Sequence, residues 1–387
     1  MTTDNQHLAI NRVQELFFAE YGAKPTVTAR SPGRVNLIGE HTDYNEGFVL
    51  PIAVPFDTAI AAIPENSSTI RVCSEGFGHT SFDLNDNPSL SPLWARYLHG
   101  VGTYIQQNGQ QLKGWTAYIA SDIPIGANLS SSAALEIASG LIFCSVNNIE
   151  ADMKQLAFAG QFAENSILGL PSGIMDQMAC AFAERDSALL IDCQDLSMTP
   201  VKLPEGASIV VMDTGTRREL AGSEYADRRQ TCEEIARELG VPSLRYATHS
   251  QLTRLDPSHT AKLKRAKHVI SENMRTKEAV EAINSQNIFE LGQLMTKSHQ
   301  SLQYDYEVSS PALDEIVHTA LKSEHCFGAR MTGGGFAGCA IALVDREKVS
   351  QFCDEILENY QCPASQPAET ATKVFPVRAS AGASLIQ

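Results

Sequence analysis

Residues 131–146 read as a helix with no polar side. Ala133, Ala134, Leu135, Ile137, Ala138, Leu141 and Ile142 spread round the whole turn. Such a helix belongs in an interior, so other elements must surround it. At 387 residues the chain is long for one core. Two domains are expected, residues 1–205 and 206–387, divided where Pro200 and Pro204 interrupt the pattern.

Helical spacing also covers residues 6–21, 92–108, 152–168, 223–239, 259–284, 288–303, 311–323 and 346–360. Strands fit residues 26–29, running into a Ser31-Pro32-Gly33 turn, and 57–63 with 69–74 as a pair. Further strands fit residues 115–121, 188–192, 208–212, 326–331, 339–344 and 372–378. The regular βαβ alternation of a doubly wound fold is missing. The pattern predicts an α+β protein, with mixed sheets and helices in both halves.

The formal net charge is −15 and no dense Lys/Arg run occurs, which argues against nucleic-acid binding. An anion would have to be bound locally, by backbone N–H groups, a helix N-terminus or a bridging cation. Nine scattered cysteines with no CxxC spacing predict reduced thiols and a cytoplasmic protein. The start, MTTDNQHLAI, does not read as a signal peptide, and no apolar run is long enough to predict a membrane span.

Four stretches carry candidate chemistry. In the first, GEHTDYNEG (residues 39–47), Glu40, His41, Thr42 and Asp43 sit between two apolar runs. The second, PIGANLSSSAALEIASGL (residues 124–141), is a glycine turn, three serines and the apolar helix. Its serines are either N-caps or part of an anion site to which Gly126 admits the backbone. No Gly-Lys-Ser/Thr follows, so it is not a Walker A loop.

The helix over residues 152–168 puts Glu164 inside its apolar stripe, where a carboxylate needs a salt-bridge partner or a cation. In the third stretch, PSGIMDQ (residues 171–177), Asp176 either caps a turn or serves as an acid or base. The fourth, GARMTGGGFAGCAIALV (residues 328–344), is either a flexible turn or a loop whose backbone approaches a ligand.

Together PGRVNLIGEHTDYNEGFVLP, PIGANLSSSAALEIA, GIMDQ and GARMTGGGFAGC resemble the motifs of the GHMP kinases. GEHTDYN with FVLP after it, and RRELAGSEYADRR (residues 217–229), most resemble the branch that phosphorylates galactose. The matches run in family order from about Ser31 to about Val344. The resemblance implies a two-domain fold with the active site in the cleft between the halves. It implies Mg²⁺- and ATP-dependent phosphorylation of D-galactose at the C1 hydroxyl, giving α-D-galactose 1-phosphate.

By the same resemblance Asp176 is the general base and Arg34 lies beside it. Glu40, His41, Thr42, Asp43, Gly173 and Tyr225 bind the sugar. Gly126, Ala127, Asn128, Leu129, Ser130, Ser131 and Ser132 cradle the phosphates. Ser132 and Glu164 hold Mg²⁺. Ser74, Trp94 and Tyr97 line the adenine pocket, and the Gly333-Gly334-Gly335 loop closes over the site. Partners are small molecules only, with a monomer expected. Kinases for N-acetylgalactosamine, L-arabinose or galacturonate share the sugar signature, and a non-catalytic sensor of sugar and ATP is a further alternative. Asn128, Ser172, Ala337 and Glu46 depart from the family pattern.

Overall fold

A computed structural model describes residues 8–124, 126–217 and 221–386, without the side chains of residues 221–223. The start of the helix expected from residue 6, Ile125 of the phosphate loop, and residues 218–220 of the RRELAGSEY stretch lie outside the described residues. The first half runs α1 (Leu8–Tyr21), β1 (Val27–Asn36), β2 (Phe48–Val49), β3 (Pro51–Pro64), β4 (Thr69–Ser74), β5 (Gly78–Asp83), α2 (Leu93–Gln107), β6 (Trp115–Ser121), α3 (Ser131–Val146), α4 (Met153–Phe162), α5 (Met175–Phe182), β7 (Ser187–Asp192) and β8 (Ser197–Lys202). The second runs β9 (Ala207–Asp213), α6 (Ala221–Leu239), α7 (Thr260–Asn284), α8 (Ile288–Ser301), α9 (Pro311–Lys322), β10 (Cys326–Met331), β11 (Cys339–Asp345), α10 (Val349–Asn359), β12 (Lys373–Val377) and β13 (Ser384–Ile386).

The all-apolar helix, α3, lies at the centre of the first half. It packs against β1 and β3 on one side and against α2, α4 and α5 on the other. The sheet it meets has the order β13-β1-β3-β6-β4-β5. Along β3 the period of two divides the faces: Ile60 and Ala62 join the core around α3, while Ala59 and Ala61 meet α1.

Several elements differ from the sequence reading. The strand expected to stop at Ala29 continues to Asn36, with a register shift between Pro32 and Arg34 that absorbs the Pro-Gly pair as a bulge. The segments around residues 57–63 and 69–74 are not partners, because β6 lies between them. β4 instead forms a hairpin with β5, a strand too polar to stand out. β4–β6 is the only parallel pairing among the described residues. The second-half sheet, β10-β11-β9-β12, is antiparallel throughout, so mixed pairing is confined to the first half.

The 205/206 division is crossed near the C-terminus. β13 pairs with β1, and Arg30 donates to the carbonyls of Ala381 (2.8 Å) and Gly382 (2.7 Å). The nine cysteines are free thiols. Among the described residues no helix is long and apolar enough to cross a membrane.

Candidate active site

One cavity, about 310 Å³, opens where the two halves meet. Arg34 reaches it from the β1 bulge. Gly33 passes so close to the Leu129 carbonyl that a Cβ there would overlap it, and the Arg34 N–H donates to that carbonyl at 3.0 Å. Across the cavity Asp176 projects from the first turn of α5. Arg34 grips it with two parallel bonds, Nε to Oδ1 at 2.8 Å and a terminal nitrogen to Oδ2 at 2.7 Å. The other terminal nitrogen donates to the Asn128 carbonyl at 2.8 Å. This two-pronged pairing fixes both partners in orientation as well as in charge.

The loop before α3 alternates through left-handed backbone, with φ of 70° at Gly126, 59° at Asn128 and 61° at Ser130. Such alternation turns successive N–H groups toward one concavity, which suits an anion at the start of a buried helix. Asn128, where the family pattern expects glycine, adopts the left-handed conformation, and its Nδ2 donates to the Ala337 carbonyl of the second half at 2.8 Å. The three serines are not caps. Ser130 precedes the helix without capping it and donates instead to Asp176 Oδ2 at 2.5 Å. Ser132 donates to Glu164 Oε1 at 3.0 Å, and Ser131 faces the cavity.

Glu164 has no basic partner within ion-pair distance among the described residues. It sits on a π-turn, Ala163–Ile167, that continues α4, the kind of helix irregularity that recurs at functional sites. Burial pushes its carboxyl up. The hydroxyls of Ser172 and Ser132 oppose that shift, while Asp176 adds to it. Ser172, a departure from the family pattern, donates its hydroxyl to Glu164 Oε2 and so acts at the carboxylate. A hydroxyl beside a buried, uncompensated carboxylate is an oxygen-donor set that fits Mg²⁺.

On the other side of the cavity stand His41, Asp43, Gly173 and Tyr225. A Cβ on Gly173 would overlap the Asp43 carboxylate. Burial, and then the charge of Asp176, push Asp43 up to about 6. His41, at φ 62°, holds Nδ1 2.7 Å from the Tyr44 hydroxyl, which lies 2.8 Å from that of Tyr306.

Glu40 also borders the cavity, but its carboxylate is largely occupied. It accepts from Asn36 Nδ2, from Arg330 at 3.1 Å and from the Gly333 N–H at 2.7 Å, with the Thr332 hydroxyl at 3.3 Å. A carboxylate offers about four acceptor positions, so Glu40 chiefly fastens the glycine loop to the first half.

Other expected residues lie away from the cavity lining. Thr42 is fully buried and its hydroxyl turns to the carbonyls of Gly39 and Phe48, both at 2.8 Å. Ala127 is buried beneath the loop. Ser74 ends β4, and Trp94 packs on the core of the first half. Tyr97 is near Glu164: burial first, and then Glu164, push its hydroxyl up. Of the three glycines in the loop, Gly333 and Gly334 reach the cavity, while Gly335 packs against the Val308 carbonyl.

Sequence reasoning missed a second line of polar residues. Glu136 of α3 is fully buried and accepts from Gln177 Nε2 at 2.9 Å. Burial, and then Glu164, hold it well above the usual carboxylate range. The signal that flagged Glu164, a carboxylate on an apolar helix face, was present in LEIA too. Arg330 and Arg217 had no such signal. Arg217 pairs with Asp213 at 2.8 Å and packs over Gly126.

Residues 15–64 match the galactokinase galactose-binding signature. Residues 96–184 match the GHMP kinase N-terminal domain, and residues 279–362 the GHMP kinase C-terminal model. A galactokinase of Chloroflexus aggregans is 43% identical over 361 residues, covering 91% of this chain and 92% of that protein. A galactokinase of Chloroflexus aurantiacus is 43% identical over 373 residues, covering 94% of each. The crystal structure of Lactococcus lactis galactokinase complexed with galactose superposes with a TM-score of 0.89 at 34% identity, covering 96% of this chain and 98% of that one. A mevalonate kinase structure, 19% identical with a TM-score of 0.65, shares the fold.

Proposed function

The chain belongs to the galactokinases, within the GHMP kinase family, and on that premise we propose that this cavity transfers the γ-phosphoryl group of ATP to the C1 hydroxyl of D-galactose. The protein is an ATP-dependent sugar kinase and its product is α-D-galactose 1-phosphate. The observation that carries the site assignment is the Arg34–Asp176 pair. One carboxylate is clamped between a fixed guanidinium and the serine that joins the phosphate loop to α3.

Asp176 accepts the C1 hydroxyl proton as the sugar oxygen forms its bond to the γ-phosphorus. The bond from that phosphorus to the bridging oxygen breaks in line, and its electron pair leaves with ADP. Arg34 stays in place and offsets charge on the transferring group. A plain carboxylate is a weak base for a sugar hydroxyl, so positioning supplies much of the rate. The Asp43 carboxylate, the His41 ring, the Gly173 backbone and the Tyr225 hydroxyl read the sugar's hydroxyls. The wrong epimer would leave such buried groups unpaired. The 126–132 loop cradles the phosphates. Ser132 and Glu164 would hold Mg²⁺, which when bound neutralises phosphate charge.

Two further points belong to this reading. A monomer acting on small molecules belongs to the same proposal. Nine free thiols suit a reducing compartment, the cytoplasm.

Asp176→Asn tests the assignment. It keeps a hydrogen-bonding shape but loses the proton acceptor. Its kcat is expected to fall by about 10²–10⁴-fold, while galactose binding by calorimetry changes far less. A near-wild-type kcat would remove Asp176 as base. Glu164→Ala is expected to raise the Mg²⁺ concentration needed for half-maximal rate; an unchanged magnesium titration would remove Glu164 from the cation site.

A further inference from the structure

Outside the cavity lining, one end of the six-stranded sheet gathers three side chains of metal-ligating type. Cys73 of β4 is paired across the hairpin with His79 of β5 and, on its other side, with Tyr118 of β6. Directly paired residues put their side chains on one sheet face. Tyr118 packs with the α1 cluster, so this is the face that α1 covers. Cys73 itself is buried, and its Sγ lies 3.6 Å from His79 Nε2. The last turn of α1 ends above them. The Tyr21 hydroxyl pins that turn by donating to the Ala117 carbonyl at 3.0 Å, and Glu20 Oε1 comes within 3.8 Å of His79 Nδ1. One donor atom from each of Glu20, Cys73 and His79 falls within 4.8 Å of the others.

We propose that Glu20, Cys73 and His79 bind a zinc-class divalent cation. Around a tetrahedral zinc, bonds of about 2.3 Å to sulfur and about 2.0 Å to nitrogen separate the two donors by about 3.5 Å. The Cys73–His79 contact has that spacing. Glu20 lies on a surface turn of α1 and faces the other ring nitrogen, Nδ1, so its flexible side chain has to turn for an oxygen to take the third position. The fourth is left to water. A sulfur–nitrogen–oxygen donor set selects zinc-like ions over Mg²⁺, which prefers oxygen alone. The site is therefore not a second version of the one at Ser132 and Glu164.

Charge and topology fit the assignment. On binding, the Cys73 thiol loses its proton to solvent and a sulfur–metal bond replaces it. The resulting thiolate and the Glu20 carboxylate balance the divalent charge, with a neutral imidazole as third ligand. β5 is the outermost strand of its sheet. An ion here would tie that strand, through its hairpin, to α1. Its effect is on the stability of the sheet edge, so it is independent of the kinase reaction.

The test uses the full chain, stripped with a chelator and titrated with Co²⁺ as a spectroscopic probe. A thiolate-to-cobalt absorption in the near ultraviolet is expected, saturating at one equivalent and displaced by Zn²⁺. Zn²⁺ is also expected to raise the melting temperature of the stripped protein. Cys73→Ser should abolish the absorption. His79→Ala changes an exposed side chain and is expected to weaken Co²⁺ binding at least about tenfold, leaving galactose turnover with MgATP unchanged. Absence of the absorption in the wild type overturns the proposal, as does an absorption that persists unchanged in His79→Ala. The second comparison holds even if Cys73→Ser does not fold.

Discussion

Asp43 faces two opposed demands. Burial and the charge of Asp176 push it up to about 6, whereas in the proposed role it accepts sugar hydroxyls best as the carboxylate, which has both oxygens free to accept. Galactose affinity is therefore expected to be full above about pH 6 and to fall below it, with KM rising towards tenfold per pH unit. Asp43→Asn should have a raised KM without that inflection. A wild-type galactose KM that stays flat through this range would remove Asp43 from sugar contact. For folding the sign is opposite. The native state holds this proton more tightly than the unfolded chain, so Asp43's contribution to the fold is full below about pH 4 and is lost as pH rises from there through about 6. Gly173→Ala would drive a methyl into the same carboxylate and is expected to raise galactose KM with little change in melting temperature. At this scale the residues themselves singled out Glu164, because a carboxylate on an apolar stripe needs a partner, and flagged Asp43, Asp176 and Ser132 within their motifs, while Arg34 and the role of each came from the family resemblance. It misplaced Thr42, since residue type does not reveal which way a side chain turns from a tight turn. Trp94 and Ser74 came from the resemblance alone, with no local signal in the residues to support them.

Among the elements, the π-turn that carries Glu164 depends on a close approach by α2. Gly100 of α2 faces Ala163 so tightly that a Cβ would overlap it. Gly100→Ala should push α2 away from this turn and cost about 1–3 kcal/mol by overpacking. Because Glu164 follows Ala163, the Mg²⁺ requirement is expected to rise as well. A variant with a lower denaturation midpoint but an unchanged magnesium titration would separate the packing from the cation site. The longer helices were readable in the sequence because long 3.6-residue patterns average over many side chains, whereas α5, which carries Asp176, has only 8 residues and was not read as a helix. The change to π geometry at Ala163 left no such pattern. β5 (GHTSFD) is polar, β8 contains Pro200 and β13 is three residues long. None has enough alternation to mark it as a strand. The β1 bulge was visible only as Pro-Gly, which reads equally as a turn.

For the whole molecule, the two halves are joined by more than the cleft. Glu40 fastens the Gly333 loop, Asn128 fastens Ala337, and β13 returns the C-terminus to the first sheet. Such long-range pairings are invisible to local pattern, which is why the 205/206 division omitted them. Removing residues 380–387 would strip β13 from β1 and take two carbonyl partners from Arg30. A loss of at least about 2 kcal/mol is expected, read as a lower urea midpoint; an unchanged midpoint would show that the return strand contributes nothing to stability. The most direct test of the kinase site is ADP release with MgATP against galactose, N-acetylgalactosamine, L-arabinose, galacturonate and glucose, with the sugar product identified by phosphorus NMR. Rapid turnover on galactose, yielding α-D-galactose 1-phosphate, is the predicted result. Binding of galactose and ATP with no ADP released from any of these sugars would contradict it.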